Sequence, residues 1–144
     1  MDKDDADRKW EEMLQELRVM QTGAQLTAGF LLTLPFQQAF ADLTTLQRNG
    51  YLVLVLLAAV ITALVMSPVA IHRRLSGEHV KDRLVVASDR ILRAVLICLS
   101  LLVAGIVTFI FDVVVDRTSA LVAGGALAVL LVAMLGVLPR AIVD

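Results

Sequence analysis

The sequence predicts an all-α protein, an integral membrane four-helix bundle with an N-terminal amphipathic cytoplasmic helix. Of the 144 residues, 58% are hydrophobic, and the mean hydropathy is +0.81. Soluble domains are only about half apolar. The charged residues are also segregated, which leaves four uncharged runs that can each cross ~30 Å of hydrocarbon as a helix. Because the runs are long and continuous, they favour spanning helices over the alternating strands of a barrel.

Six segments follow from this pattern. The predicted order is a cytoplasmic amphipathic helix (1–19), transmembrane helix 1 (20–41), transmembrane helix 2 (50–71), a basic cytoplasmic loop or helical elbow (72–93), transmembrane helix 3 (94–111) and transmembrane helix 4 (118–139). In the first segment, Trp10, Met13, Leu14 and Leu17 recur at helical spacing among charged residues. Such a helix is expected to lie in the membrane interface or against the bundle.

Positive charge predicts the orientation of the chain. Of its 13 Lys and Arg residues, only Arg48 and Arg117 fall in the other two loops, so 13 minus 2 leaves 11 on one side. The positive-inside rule makes that side cytoplasmic. We therefore expect a multi-pass protein of the cytoplasmic (inner) membrane with both termini in the cytoplasm. The N-terminus lacks a signal-peptide pattern and is expected to be retained.

The basic residues of the second cytoplasmic segment are candidates for contact with anionic lipid. They are Arg73, Arg74, Lys81 and Arg83. The alternative is that these side chains are solvated and only determine the topology. The same segment is the sole basic cluster of the chain, and binding of nucleic acid is not expected.

Polar and small residues interrupt the first span. Thr22, Gln25, Gly29 and Thr33 fall near one line of a helical wheel, and Gln37 lies at its margin. In hydrocarbon such residues are expected to face other helices, where Gly permits close approach and Gln or Thr forms hydrogen bonds. The alternative is a polar cavity or path. Pro35 is expected to bend the helix near its outer end.

Small residues also line the last two spans. Gly105 and Thr108 share a face of the third span with Asp112, which lies within reach of Arg48 or Arg117. The fourth span has a small-xxx-small series, a pattern typical of close helix packing. Its members are Ala120, Gly124 and Ala128. This surface either packs inside the chain or forms a dimer.

No pattern in the sequence indicates catalysis. The middle of each span lacks Asp, Glu, Lys, Arg and His, which weighs against an ion-coupled transporter. The sequence contains no Ser/His/Asp grouping and no phosphate-binding Gly-rich loop. Cys98 is the only cysteine, so neither a disulfide within the chain nor a metal site with cysteine spacing is expected. We expect neither an enzyme nor a cofactor.

Four segments resemble a family of uncharacterised small four-span membrane proteins of actinobacteria. They are LQELRVMQTGAQLTAGFLLTLPFQQAF, the triplet Leu46-Gln47-Arg48, SPVAIHRR and IFDVVV. The similarity covers Leu14 to about Pro139, and it implies the fold and the membrane location. Some members are labelled sodium:proton antiporters, and this chain lacks the carboxylate within a span that such an activity uses. The resemblance implies no catalytic residues.

The leading hypothesis for function is a non-enzymatic membrane protein that acts through helix packing. It would be either a homo-oligomer or an accessory subunit of a larger membrane complex. The alternative is a small oligomeric transporter or channel with a Gln/Thr-lined polar path. Membrane lipids are expected as further partners, and anionic lipids are expected on the cytoplasmic side.

Overall fold

Most of the chain that the structure describes is helical. A computed structural model describes residues 3–74 and 81–137, with side-chain burial for residues 8, 11–68, 70 and 90–136. Within these ranges the chain forms four α-helices and no β-strand, which confirms the all-α prediction. They are α1 (Lys3–Thr33), α2 (Thr45–Arg74), α3 (Lys81–Val114) and α4 (Arg117–Val132). Two 3-10 turns, Leu34–Phe36 and Gln38–Phe40, follow α1, and a π-helical turn, Ala133–Val137, follows α4.

Among the described residues, three helical stretches are long and apolar enough to cross a membrane. They are Thr45–Pro68, Arg90–Val114 and Arg117–Gly136, with 24, 25 and 20 residues. Their mean hydropathies are 2.5, 2.8 and 2.2. They overlap the predicted spans 50–71, 94–111 and 118–139. Helix α1 is not among them, because its first half is charged and its second half contains Gln and Thr residues.

Helix α1 differs from the predicted segments 1–19 and 20–41. It is one continuous α-helix without a boundary near residue 19, and it ends at Thr33. Pro35 explains the end, because proline has no N–H and disfavours the α conformation of the residue before it. The backbone continues in 3-10 turns, where the Gln37 N–H donates to the Leu34 carbonyl at 3.0 Å. Residues 20–41 are therefore not a single helix, and Pro35 ends α1 where a bend was predicted.

Pro68, in contrast, lies inside α2, which continues to Arg74. A proline at this position cannot donate to the carbonyl four residues earlier. That carbonyl belongs to Leu64, and it accepts a hydrogen bond from the Ser67 hydroxyl at 2.7 Å. The hydroxyl thus replaces the missing backbone donor. Pro68 is itself fully buried, so the helix tolerates the proline through local satisfaction and packing.

The chain divides into two compact units. The first comprises Met1–Leu32 and Leu57–Leu99. The described part of α1 contributes a buried stripe with a spacing of seven residues, namely Leu17, Ala24 and Leu31. Exposed positions of the same helix include Glu12, Glu16 and Gln25, so this part of α1 is amphipathic. The core of this unit also contains Ala58, Ile61, Val65, Leu92 and Val95.

The second unit comprises Thr33–Leu56 and Ser100–Asp144. Its buried apolar residues are Tyr51, Leu54, Leu102, Ala104 and Ala120. They include the two alanines Ala104 and Ala120, and small residues allow helices to approach closely. This unit contains the contacts that position the candidate sites.

Much of the predicted loop or helical elbow 72–93 is helical in the part that the structure describes. Helix α2 extends to Arg74 and α3 begins at Lys81, so the second part of the predicted elbow belongs to a long α3. Residues 75–80 lie outside the described part of the chain. The side chains of Arg73, Arg74, Lys81 and Arg83 also lie outside it, and their predicted contact with anionic lipid stays a prediction.

Candidate functional site

Gln47 is the central polar residue of the second unit. At the start of α2, its side-chain Oε1 accepts a hydrogen bond from the Thr44 N–H at 3.0 Å. Its own backbone N–H donates to Thr44 Oγ1 at 3.3 Å. These reciprocal bonds form a capping box, which satisfies two backbone donors at the start of a helix.

The Gln47 amide also joins α2 to the end of α3. Its Nε2 donates to Asp112 Oδ2 at 3.0 Å and to the Asp112 carbonyl oxygen at 3.2 Å. Both halves of the amide are therefore used, and the side chain has one defined orientation. The predicted partners of Asp112 were Arg48 and Arg117, but the structure gives its carboxylate the neutral Gln47 amide as hydrogen-bond donor.

Aromatic rings connect the segment after α1 to this same unit. Phe40 lies in the second 3-10 turn, and its ring meets the Tyr51 ring edge-on, with centroids 5.0 Å apart. Tyr51 also contacts Phe109 of α3, with centroids 6.2 Å apart. Edge-to-face pairs add about 0.5–1.5 kcal/mol beyond the burial of their area. The end that Pro35 imposes on α1 thus leads into a segment anchored by Phe40.

The small residues of α3 and α4 permit close contact inside the second unit. A Cβ on Gly124 would overlap Thr108 Oγ1, and it would lie 3.1 Å from Thr108 Cβ. A Cβ on Gly105 would lie 2.6 Å from Leu54 Cδ2. Ala120 and Gly124 are buried and Ala128 is half-buried. Ala120 and Gly124 of this surface therefore pack inside the second unit.

Thr108 is held in place at this contact. Its hydroxyl donates to the Ala104 carbonyl at 2.8 Å, one turn earlier in α3. The hydroxyl is therefore satisfied within its own helix, and its oxygen lies against the bare backbone of Gly124. A bond of this kind orients the side chain without linking the helices.

The polar stripe of α1 lies on the opposite side from its buried residues. Thr22, Gln25, Gly29 and Thr33 are exposed on α1, and Gln37, which lies beyond the end of the helix, is also exposed. A Cβ on Gly29 would meet no neighbouring side chain within 4 Å. The Thr22 hydroxyl donates to the Arg18 carbonyl of its own helix at 3.0 Å. The prediction that this stripe packs against other helices does not hold within the described part of the chain, where Leu17, Ala24 and Leu31 form the buried face.

A cleft of about 210 Å³ opens in the second unit among α2, α3 and α4. Its lining is mostly apolar, with polar residues at the ends of the helices. The lining residues are Leu46, Gln47, Gly50, Leu54, Thr108, Phe109, Asp112, Arg117, Ala120 and Leu121. The sequence patterns predicted Thr108 and Ala120 as packing residues and did not indicate a cleft.

Asp116 caps α4. Its Oδ1 accepts from the Ser119 N–H at 2.8 Å, and its Oδ2 accepts from the Ser119 hydroxyl at 3.1 Å. These two hydrogen bonds lower the pKa of the Asp116 carboxyl from its ordinary value, since both stabilise the ionised form. The carboxylate is also favoured by the positive end of the helix dipole.

These features define the class of protein to which the chain belongs. The described chain is an all-helical protein with three helices that can cross a membrane, joined in its second unit by close helix packing and by the link from Gln47 to Asp112.

The chain belongs to the Family of unknown function (DUF6328), whose model matches residues 1–139. No curated protein and no solved structure matches the sequence.

Proposed function

We propose that this protein is a multi-pass protein of the cytoplasmic membrane that has no enzymatic activity and acts by packing against other chains. Its four helices would cross the membrane as a bundle, with α1 as the first span and both termini in the cytoplasm. It would act as a homo-oligomer or as an accessory subunit of a larger membrane complex.

Exposed apolar residues on α2, α3 and α4 support the membrane location. Val53, Ile97, Leu121 and Val129 are each at least 60% exposed, in helices that contain no charged residue for many turns. An apolar surface of this extent is unusual on a soluble protein, and in a bilayer it would contact lipid tails. The Lys and Arg distribution supports the proposed orientation.

The exposed stripe of α1 is the observation that supports assembly. Gln25, Gly29 and Thr33 are exposed, and a Cβ on Gly29 would meet no atom of the described residues within 4 Å. Polar side chains of spanning helices are expected to meet other helices, and a neighbouring Gly lets the two backbones approach closely. A second chain or a partner subunit would cover this stripe. The small-residue face of α4 supports assembly less, because Gly124 already packs against Thr108.

The test is extraction in a mild detergent or in native nanodiscs, followed by mass determination and identification of every co-purifying protein. We expect the 15.6 kDa chain to be recovered in a larger assembly of fixed stoichiometry. The double variant Gln25→Leu with Thr33→Val keeps the helix and removes the polar groups. At about 0.6 kcal/mol per hydrogen bond, loss of two to four bonds weakens association several-fold to tens of fold.

Leu26→Met is the matched control, since Leu26 is exposed on α1 and lies next to the stripe. This variant should assemble as the wild type does. A wild-type chain that is monomeric and alone under all these conditions would contradict the proposal, and so would an unchanged assembly of the double variant.

The alternative proposal is a small oligomeric transporter or channel. The exposure of Gln25 and Thr33 means that such a path would lie between chains. Flux of ions or small solutes through reconstituted protein would support it. Flux that is the same in the double variant would exclude the stripe as the path.

A further inference from the structure

The cleft of the second unit lies at one end of all three candidate spans. Gln47 is near the first residue of Thr45–Pro68, Asp112 is near the last of Arg90–Val114, and Arg117 is the first of Arg117–Gly136. Leu54 and Phe109 line the same cleft from positions further into their spans. In a bilayer the cleft would therefore have polar groups at the headgroup level and an apolar wall below them.

The rim of the cleft carries one negative and one positive group. Asp112 Oδ2 accepts from Gln47, while Asp112 Oδ1 has no hydrogen-bond partner among residues 3–74 and 81–137. In the same ranges, Arg117 has neither a hydrogen bond from its side chain nor an ion pair, and it is exposed. A ligand with both a cation and an anion would satisfy both groups.

We propose that the cleft binds a phospholipid whose headgroup carries a primary amine, the phosphatidylethanolamine class. The lipid phosphate would pair with the Arg117 guanidinium, and the ammonium would donate to the Asp112 carboxylate. Charge-assisted hydrogen bonds of this kind are about twice as strong as neutral ones. The first carbons of an acyl chain would lie against Leu54, Phe109 and Leu121.

The volume of the cleft and the charges at its rim favour a phospholipid whose headgroup carries a primary amine. A cavity of about 150 Å³ holds benzene, and pockets for drug-sized ligands begin near 300 Å³, so about 210 Å³ fits a headgroup with the upper end of a chain. Phosphatidylglycerol offers no cation to Asp112. A choline headgroup has no N–H to donate to it. The proposal rests on the membrane location proposed above and is independent of assembly through α1.

The test is native mass spectrometry of the purified full-length protein with added lipid at matched acyl composition. The probes are phosphatidylethanolamine, phosphatidylcholine, phosphatidylglycerol and the soluble headgroup phosphoethanolamine. We expect phosphatidylethanolamine to bind about tenfold more tightly than the other two lipids, the effect of one hydrogen bond to a charged group. The soluble headgroup should bind far more weakly, because it lacks the apolar part.

Two variants and one control assign the contacts. Asp112→Asn keeps an acceptor for Gln47 and should abolish the preference for ethanolamine over choline. Arg117→Gln should weaken the binding of phosphatidylethanolamine and of phosphatidylcholine by about the same factor. Arg48→Gln is the control, since Arg48 is exposed at the same end of α2 but does not line the cleft.

The proposal is overturned if phosphatidylglycerol binds as well as phosphatidylethanolamine, or if the preference survives in Asp112→Asn. Equal binding of soluble phosphoethanolamine would make this a site for a soluble zwitterion and would overturn the lipid assignment. If Asp112→Asn does not fold, lipid binding by Arg117→Gln, compared with that by the wild type, tests the proposal by itself. The same spectra report the oligomeric state, so selective lipid binding by a monomer would support the cleft and contradict only the proposed assembly.

Discussion

Replacement of Gly124 by alanine is the sharpest test of the helix contact in the second unit. The added Cβ would overlap Thr108 Oγ1 and would lie 3.1 Å from Thr108 Cβ. One of the two helices must then shift, or the Thr108 side chain must rotate. Rotation gives up the hydrogen bond from Thr108 to the Ala104 carbonyl and leaves the short contact to Cβ in place.

The expected magnitude follows from these two routes. Overpacking of a tight contact costs about 1–3 kcal/mol, and loss of the Thr108 hydrogen bond costs about 0.5–1.5 kcal/mol. Alanine also improves helix propensity by up to about 1 kcal/mol over glycine. Gly125→Ala receives the same propensity gain, and its Cβ would meet nothing within 4 Å. The free energy of unfolding of Gly124→Ala should therefore fall about 1–3 kcal/mol below that of Gly125→Ala.

The assay is unfolding in mixed micelles with rising sodium dodecyl sulfate, followed by circular dichroism. A double variant, Thr108→Ala with Gly124→Ala, removes the Oγ1 atom that the new Cβ meets. It should recover most of the lost stability, and a double-mutant cycle then gives the coupling between the two positions. Equal stability of the two alanine variants would refute the reasoning, as would a cycle with no coupling.

Two further predictions concern the helix ends. Gln47→Leu removes both the capping box and the bonds to α3, so it should lower the free energy of unfolding by about 1–3 kcal/mol, whereas Arg48→Gln at the exposed neighbouring position should change it by less than about 0.5 kcal/mol. Equal effects would show that the Gln47 amide contributes nothing beyond helix propensity. Asp116 has a lowered pKa because Ser119 donates to its ionised form, so its contribution is present above the unfolded pKa of about 3.9 and is lost as the pH falls through the folded pKa. In an acid titration below about pH 5, Asp116→Asn should lose less stability than the wild type, and parallel curves would contradict the cap.

The spans could be predicted because they depend on composition along the chain. Apolar length alone predicts segments that overlap the three candidate spans in α2, α3 and α4. In α1 the same argument finds no candidate span, because the helix contains charged, Gln and Thr residues, and the end of the helix depends on a single residue. Pro35 disfavours the α conformation of the residue before it, an effect that does not depend on the composition of the surrounding residues.

For α1, the sequence predicts which residues share a face of the helix more easily than it predicts which face is buried. The helical wheel correctly groups Thr22, Gln25, Gly29 and Thr33, and all four are exposed together. Which side is buried depends on the neighbouring helices. The residue pattern of α1 gives no information about where those helices lie. The spacing of seven residues in Leu17, Ala24 and Leu31 was the available signal for the buried face.

At the Gln47 site as well, contacts between residues close in sequence are predictable, and contacts between residues far apart in sequence are not. The capping box from Thr44 to Gln47 follows a known four-residue pattern, so the sequence could have indicated it. The bond to Asp112 joins residues 65 positions apart, and no local pattern predicts it. The overlap of Gly124 with Thr108 likewise requires two helices in register.

The internal use of the α4 surface changes the order in which the functional hypotheses must be tested. A bulky residue at Gly124 would disturb the chain itself, so loss of assembly in such a variant would not identify a dimer interface. The exposed stripe of α1 is then the better place to test for a partner. The transport alternative needs this stripe as well, because Gln25 and Thr33 would line a path only when another chain closes it. Both functions therefore require assembly through α1, and a monomer with an uncovered stripe would argue against both before any flux is measured.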